Sequence, residues 1–333
     1  MTDFVSSFAK KIFNISSFDD FSMLTIELFH YQNSHCSIYK TYTEGLMIDP
    51  EKVDSIEKIP FLPIQFFKQH LILSSNKNPK ICFESSATTS TNVSKHYLCS
   101  PEIYVESFTR SFSSVFGDPS NSAILALLPS YLERSGSSLV YMADRLIQLS
   151  KHKESGFFLS NFEELYYTLT QLSQQKIKTI LLGVTFGLLD FIEKYHLVFP
   201  ELTIIETGGM KGRREEITRL QLHELLCSGF GVKKVYSEYG MTELLSQAYT
   251  QGEMQFFCPP WMKVLVRETN DPLSVSLQGK NGGLNIIDLA NIESCAFIAT
   301  QDLGTVYADG SFEVLGRFDD SDIRGCNLMV AEG

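Results

Sequence analysis

Between residues 101 and 236, short apolar runs alternate with longer amphipathic ones. That alternation constrains the fold more than any other feature of the chain. Residues 123–128, AILALL, are ended by Pro129-Ser130 and read as a buried strand. Residues 179–184, 202–207 and 233–236 read the same way. Helices are predicted over residues 101–116, with Pro101 in the first turn, and over 137–149, 186–195 and 213–227. A further helix follows the capping pair Ser160-Asn161, with Glu163 and Glu164 where the helix dipole favours acids. Strand followed by helix, repeated, predicts an α/β fold with a mostly parallel sheet flanked by helices. From about residue 253 the texture changes to short β pieces (263–267, 283–289, 296–299 and 312–315) separated by Gly, Asn and Asp. The expected organisation is therefore an α/β region over 1–250, a small β-rich subdomain over 251–318 and a tail over 319–333.

The first 75 residues are rich in Phe and read as helices with turns. Ser17 is placed to cap a helix whose first turn carries Asp19 and Asp20 and which runs to about residue 35. Residues 59–64 are a proline-punctuated extended piece, and Phe66, Phe67 and His70 follow at helical spacing as core packing. A net charge of −11 argues against a nucleic-acid surface. The densest basic cluster, Lys211-Gly212-Arg213-Arg214, is answered at once by Glu215 and Glu216. No run has the length of a signal-peptide core or a membrane span, so a cytoplasmic protein is expected. Seven cysteines without a CxxC pair, and scattered histidines, speak against structural zinc and fit a reducing compartment.

Four segments carry chemistry. The stretch FESSATTSTNVSK, residues 83–95, sets Ser85, Ser86, Thr88, Thr89, Ser90, Thr91 and Ser94 ahead of Lys95. Such a loop presents many N–H and O–H donors plus a cation, as polyphosphate requires. By composition alone it is a solvated Ser/Thr loop. Glu206-Thr207-Gly208-Gly209 ends a strand in two glycines, where main chain can approach a flat ligand; alone it is a turn. YSEYGMTE, residues 236–243, follows a strand and supplies an aromatic ring, a hydroxyl and a carboxylate. Thr300-Gln301-Asp302-Leu303-Gly304 and residues 316–325, GRFDDSDIRG, place acids and arginine near glycine turns.

In this order the four segments resemble the adenylate-forming superfamily of acyl-CoA synthetases, adenylation domains and luciferases. The resemblance implies that family's large N-terminal domain and a reaction of a carboxylate with ATP and Mg²⁺ to give acyl-AMP and pyrophosphate. By motif match, the loop from Ser85 to Lys95 holds the β- and γ-phosphates, while Gly208, Gly209 and Gly240 belong to the nucleotide site. Tyr239 stacks on adenine, Thr242 meets the α-phosphate and Glu243 helps hold Mg²⁺. Asp302 binds the ribose hydroxyls and Arg317 the ribose or α-phosphate side. The site must then supply cations and fixed donors where two anions meet.

Two departures narrow the resemblance. The phosphate loop has Ala87 and Ser90 in place of the family's usual glycines. The chain also stops at Gly333, before the mobile C-terminal domain and its lysine; Lys95, Lys211 and Arg213 are the available substitutes. The sequence is similar to the bacterial acyl-protein synthetases, typified by LuxE, the fatty-acid-activating component of the luminescence reductase. Those chains are similarly short, and self-acylate a cysteine near the C-terminus. The resemblance covers roughly residues 60–333 and points to Cys326 in RGCNLM, with Arg324 near enough to favour the thiolate. It implies a fatty or other carboxylic acid as substrate and an acyl-accepting reductase or carrier protein as partner. Two other readings stay open: a ligase to coenzyme A or a carrier protein whose C-terminal domain is missing or comes from another chain, and a catalytically silent nucleotide-binding partner protein.

Overall fold

A computed structural model describes residues 4–85, 93–128, 136–208, 217–268, 273–276 and 281–318. The chain forms two compact units, one of Ile81–Lys95 and Ser100–Phe257, the other of Met1–Lys80, His96–Cys99 and Cys258–Gly333.

The first unit is an α/β sheet. Its strands lie in the order Phe256–Phe257, Ala248–Thr250, Tyr236–Tyr239, Thr203–Thr207, Thr179–Val184, Ala123–Leu127, Gly156–Phe158. The five from Tyr236–Tyr239 to Gly156–Phe158 are mutually parallel, and Ala248–Thr250 and Phe256–Phe257 turn antiparallel. Every residue of Ala123–Leu127 and of Thr179–Val184 is buried, as a parallel sheet covered on both faces requires. Helix Phe162–Gln174 buries Leu165, Leu169 and Leu172 at helical spacing. Phe191 and Phe230, from helices Thr185–Lys194 and Arg219–Phe230, stack with ring centroids 5.4 Å apart.

Two elements differ from their sequence expectation. The helix expected over 213–227 is Arg219–Phe230, because Thr218 and Gln221 form a reciprocal capping box and Gly231, at φ +65°, supplies the left-handed end. The strand expected over 233–236 is Tyr236–Tyr239, running through polar residues. Ile205 pairs with Tyr236 and Thr207 with Glu238 in parallel register, so position in the sheet, and not hydrophobicity, sets its extent.

The second unit is built on an antiparallel sheet, Met262–Arg267, Asn281–Asp288, Phe297–Val306 and Phe312–Arg317 in that order, with Leu62–Pro63 parallel to Phe297–Val306. Residues 4–80 belong with this sheet. The Ser17-capped helix Phe18–His35 carries Gln32, whose buried amide donates to the carbonyls of Asn291 (2.8 Å) and Ile292 (3.1 Å) and accepts from Ala296 N–H at 2.9 Å. Tyr39 stacks on Phe297 at 5.8 Å. These long-range polar ties are invisible to periodicity. Among the described residues no helix is long and apolar enough to cross a membrane, and the described cysteines form no disulfide.

Replacing Gln32 by Leu should strand the buried Ala296 N–H and leave the Ile292 and Asn291 carbonyls to Ser74 Oγ (2.6 Å) and Ser294 N–H (3.3 Å). The expected cost is about 1–3 kcal/mol, seen as a fall of several degrees in melting temperature. An unchanged melting temperature would show that this amide does not tie the helix to the sheet.

Candidate functional site

Open parallel sheets bind ligands beyond the carboxyl ends of their strands. In the α/β unit that edge holds a cavity of about 210 Å³. Thr207 and Glu238, register partners on adjacent strands, both line it, and Thr207 Oγ1 donates to Glu238 Oε2. Gly208 continues from Thr207 with φ +75°, a conformation that favours glycine, and its carbonyl accepts from Thr185 Oγ1 at 2.6 Å. Beyond the second strand, Gly240, Met241 and Thr242 form the next part of the wall, and Gln247 closes in before the following strand. A Cβ on Gly240 would lie 2.4 Å from Glu238 Oε1 and 3.5 Å from Gln247 Cγ, so these two side chains gather around the missing side chain.

A helix amino end completes the wall. Ser137 caps Ser138–Leu149, its hydroxyl accepting from Val140 N–H at 3.3 Å, and Ser137, Ser138 and Leu139 face the cavity. The orphan N–H groups there suit an anion. The approach to this helix is a Gly136 turn at φ +93°, whose carbonyl accepts from Glu84 N–H at 2.8 Å. A Cβ at Gly136 would sit 3.2 Å from the Cys82 carbonyl. That turn brings the end of the Ile81–Glu84 strand to the cavity, where Glu84 is part of the lining.

The charges are unevenly matched. Burial pushes the Glu238 carboxyl up to about 7 against the opposing Thr207 hydrogen bond, and the neighbouring Glu206 carboxylate adds to the rise. Glu206 is itself buried, accepting from Thr185 Oγ1 at 3.1 Å, with Arg219 Nε and His223 Nε2 each 3.9 Å away. Gln247 is 3% exposed and its Oε1 has no hydrogen-bond partner.

Of the expected site residues, Gly208, Gly240 and Thr242 meet on this cavity. Glu243 is buried one residue beyond the lining. Tyr239 is buried with its ring 5.7 Å from that of Phe256. Lys95 opens the Lys95–Leu98 strand, half-exposed, with Nζ 3.5 Å from Glu84 Oε1. Ser85 closes the neck of the hydroxyl-rich loop: its N–H donates to Ser94 O at 3.0 Å, and Ser94 N–H donates to Ser85 Oγ at 2.9 Å. Ser86, Thr88, Thr89, Ser90, Thr91, Gly209, Lys211, Arg213, Arg324 and Cys326 lie outside the described residues.

Asp302 and Arg317 belong to the other unit, where antiparallel register sets them opposite each other and Arg317 Nε lies 3.2 Å from Asp302 Oδ1. Arg267, which the sequence did not single out, sits on the adjacent part of that sheet. Its guanidinium donates to Leu284 O and Asn285 Oδ1 at 2.8 and 2.9 Å, and Asp302 supplies the opposing charge. The sequence also passed over Glu84, Ser137, Ser138, Glu238 and Gln247. Glu238 lay inside a quoted motif, but Gln247 carried no local signal.

Among the described residues no three His, Cys, Asp or Glu side chains cluster as a metal site. Magnesium commonly needs one or two carboxylates, with phosphate oxygens and water completing its shell. The hard oxygen donors at and beside the cavity, Glu84, Thr242 and Glu243, fit such an ion arriving with a nucleotide.

A model of the family described as acyl-protein synthetase, LuxE, matches residues 152–333. No curated protein matches. Among solved structures, ATP-bound MatB from Rhodopseudomonas palustris is similar at 14% identity and a TM-score of 0.55, over 74% of this chain and 48% of that one. A RpMatB–BxBclM chimera with bound ATP gives 15%, 0.55, 74% and 48%. A 2-hydroxyisobutyryl-CoA ligase in complex with 2-HIB-AMP is similar at 12% identity and a TM-score of 0.68, over 90% of this chain and 68% of that one. At these identities the likeness is one of fold, and the chain spans about half the length of MatB.

The folded Glu238 carboxyl keeps its proton to about pH 7, whereas the unfolded chain releases it near 4.5. Between those values the folded state binds more protons, so this group's contribution to stability falls as pH rises through the window and is level above it. Relative to Glu238→Gln, the wild-type protein should lose about 1–3 kcal/mol between pH 4.5 and pH 8. Parallel melting-temperature profiles for the two proteins would refute the assignment.

Proposed function

The chain belongs to the LuxE family of acyl-protein synthetases and has the fold of the large domain of adenylate-forming ligases; from that premise we propose that it activates a carboxylic acid with ATP and carries the acyl group on Cys326. A carboxylate oxygen attacks the α-phosphorus, the bond to the bridging oxygen breaks, and pyrophosphate leaves. The Cys326 thiolate then adds to the carbonyl of the mixed anhydride, AMP departs, and a thioester remains. The observation that carries the reading is the meeting of Gly208, Gly240 and Thr242 on one cavity at the strand ends, inside the segment the family matches.

The chain's own groups account for what this step needs. Thr242 and the amino end of Ser138–Leu149 supply fixed donors toward phosphate or carboxylate oxygens. The Ser85–Lys95 loop is assigned the β- and γ-phosphates, with Lys95 its cation. Glu243 would hold a magnesium ion arriving with the nucleotide, which would supply neutralisation of phosphate charge. Asp302 and Arg317 are assigned to the ribose, Tyr239 and Gly209 to the base. The acyl group on Cys326 is passed to a reductase or carrier protein. The family alone suggests a fatty acid, and no described residue argues for a long chain.

Incubating the chain with Mg·ATP and candidate acids should give an acyl-sized mass gain that needs ATP, vanishes in neutral hydroxylamine and maps to Cys326. Cys326→Ser should keep ATP–pyrophosphate exchange and lose the adduct; an adduct retained in that variant would put the nucleophile elsewhere. Exchange without an adduct in the wild type would favour an external acceptor such as coenzyme A. Glu243→Gln and Lys95→Ala should each lower exchange by about 10²-fold or more, and wild-type rates in both would remove their assignments.

A further inference from the structure

Two side-chain oxygens in the cavity have no hydrogen bond among the described residues. Gln247 Oε1 is buried and is an acceptor only. Glu238 spends Oε2 on Thr207, and its Oε1, which sits beside the bare Cα of Gly240, becomes an acceptor as the carboxyl ionises at and above about pH 7. A buried acceptor without a donor is unfavourable, and buried polar groups are seldom left so. The donors of the site lie elsewhere in the lining, at Ser137, Ser138 and Thr242, where they suit carboxylate and phosphate oxygens.

We propose that the acid activated here is a short carboxylic acid bearing a hydrogen-bond donor, a hydroxyl or amino group, which Glu238 Oε1 and Gln247 Oε1 receive inside the cavity. The proposal rests on the acyl-activating reading above and names its substrate class. The lining supports it: its apolar groups Tyr104, Leu139, Met142 and Met241 are interleaved with carboxyl, amide and hydroxyl groups. A long alkyl chain would lay methylenes against two unpaired acceptors, which is costly. A hydroxyl or ammonium pairs with both.

The test is ATP–pyrophosphate exchange by the full chain with matched acids: lactate, 3-hydroxybutyrate and β-alanine against propionate and butyrate, and all of them against palmitate. At least one donor-bearing acid should exceed its unsubstituted analogue by about tenfold or more in kcat/KM, because a site built to pair a polar group rejects the analogue lacking it. Preference for β-alanine would identify an ammonium, and preference for the hydroxy acids a hydroxyl. Gln247→Leu should shrink the preference to under about threefold while exchange with butyrate persists. Glu238→Gln keeps a partner for Thr207 and should also reduce the preference, so it carries the test if Gln247→Leu fails to fold. Best exchange with palmitate, or equal exchange with butyrate and 3-hydroxybutyrate, would overturn this inference and leave the acyl-activating reading standing. No exchange with any acid would overturn both.

Discussion

The candidate site depends on the parallel pairing of Thr203–Thr207 with Tyr236–Tyr239. That pairing sets Thr207 opposite Glu238, so the hydroxyl and the carboxyl meet where the two strands end. The same register sends Gly208 and Gly240 out of the sheet side by side, where main chain forms the wall and no Cβ fills the space. A slip of one residue would turn Glu238 to the other face of the sheet and remove it from the cavity. Such a slip would also turn the buried Ser237 and Tyr239 out of their places in the sheet.

The cavity is electrostatically two-sided. A helix amino end with Ser137 and Ser138 offers partial positive charge to an anion. Glu238, Glu84 and Gln247 offer acceptors, and Glu84 has a cation beside it in Lys95. Desolvation raises the Glu238 carboxyl enough for its charge to change near neutral pH. A purely apolar pocket would contain no such groups.

The second unit repeats the logic with other means. Asp302 and Arg317 are fifteen positions apart in sequence and become neighbours through antiparallel register, with Arg267 near them from a third strand. Its core is closed by Gln32 from an N-terminal helix more than 250 residues away in the chain. Residues 4–80 therefore belong with the C-terminal sheet although they precede the α/β region.

Much of this was legible in the amino-acid order. Apolar strand runs, amphipathic spacing and local caps are short-range properties, so the α/β alternation, the Ser17 cap and the strand-ending glycines could be read directly. The motif around Tyr239–Glu243 likewise announced a site at a strand end. Where local signals conflicted with position in the sheet, as at Tyr236–Tyr239, pairing energy prevailed over hydrophobicity. The sequence by itself determined the fold class, and it holds the motifs on which the family resemblance rests, because both are written in neighbouring residues. Only the tertiary structure decided that Glu84, Glu238 and Gln247 share one small cavity with the Ser138–Leu149 helix end. Burial and unmet hydrogen bonds arise from packing between distant segments, and no local pattern encodes them.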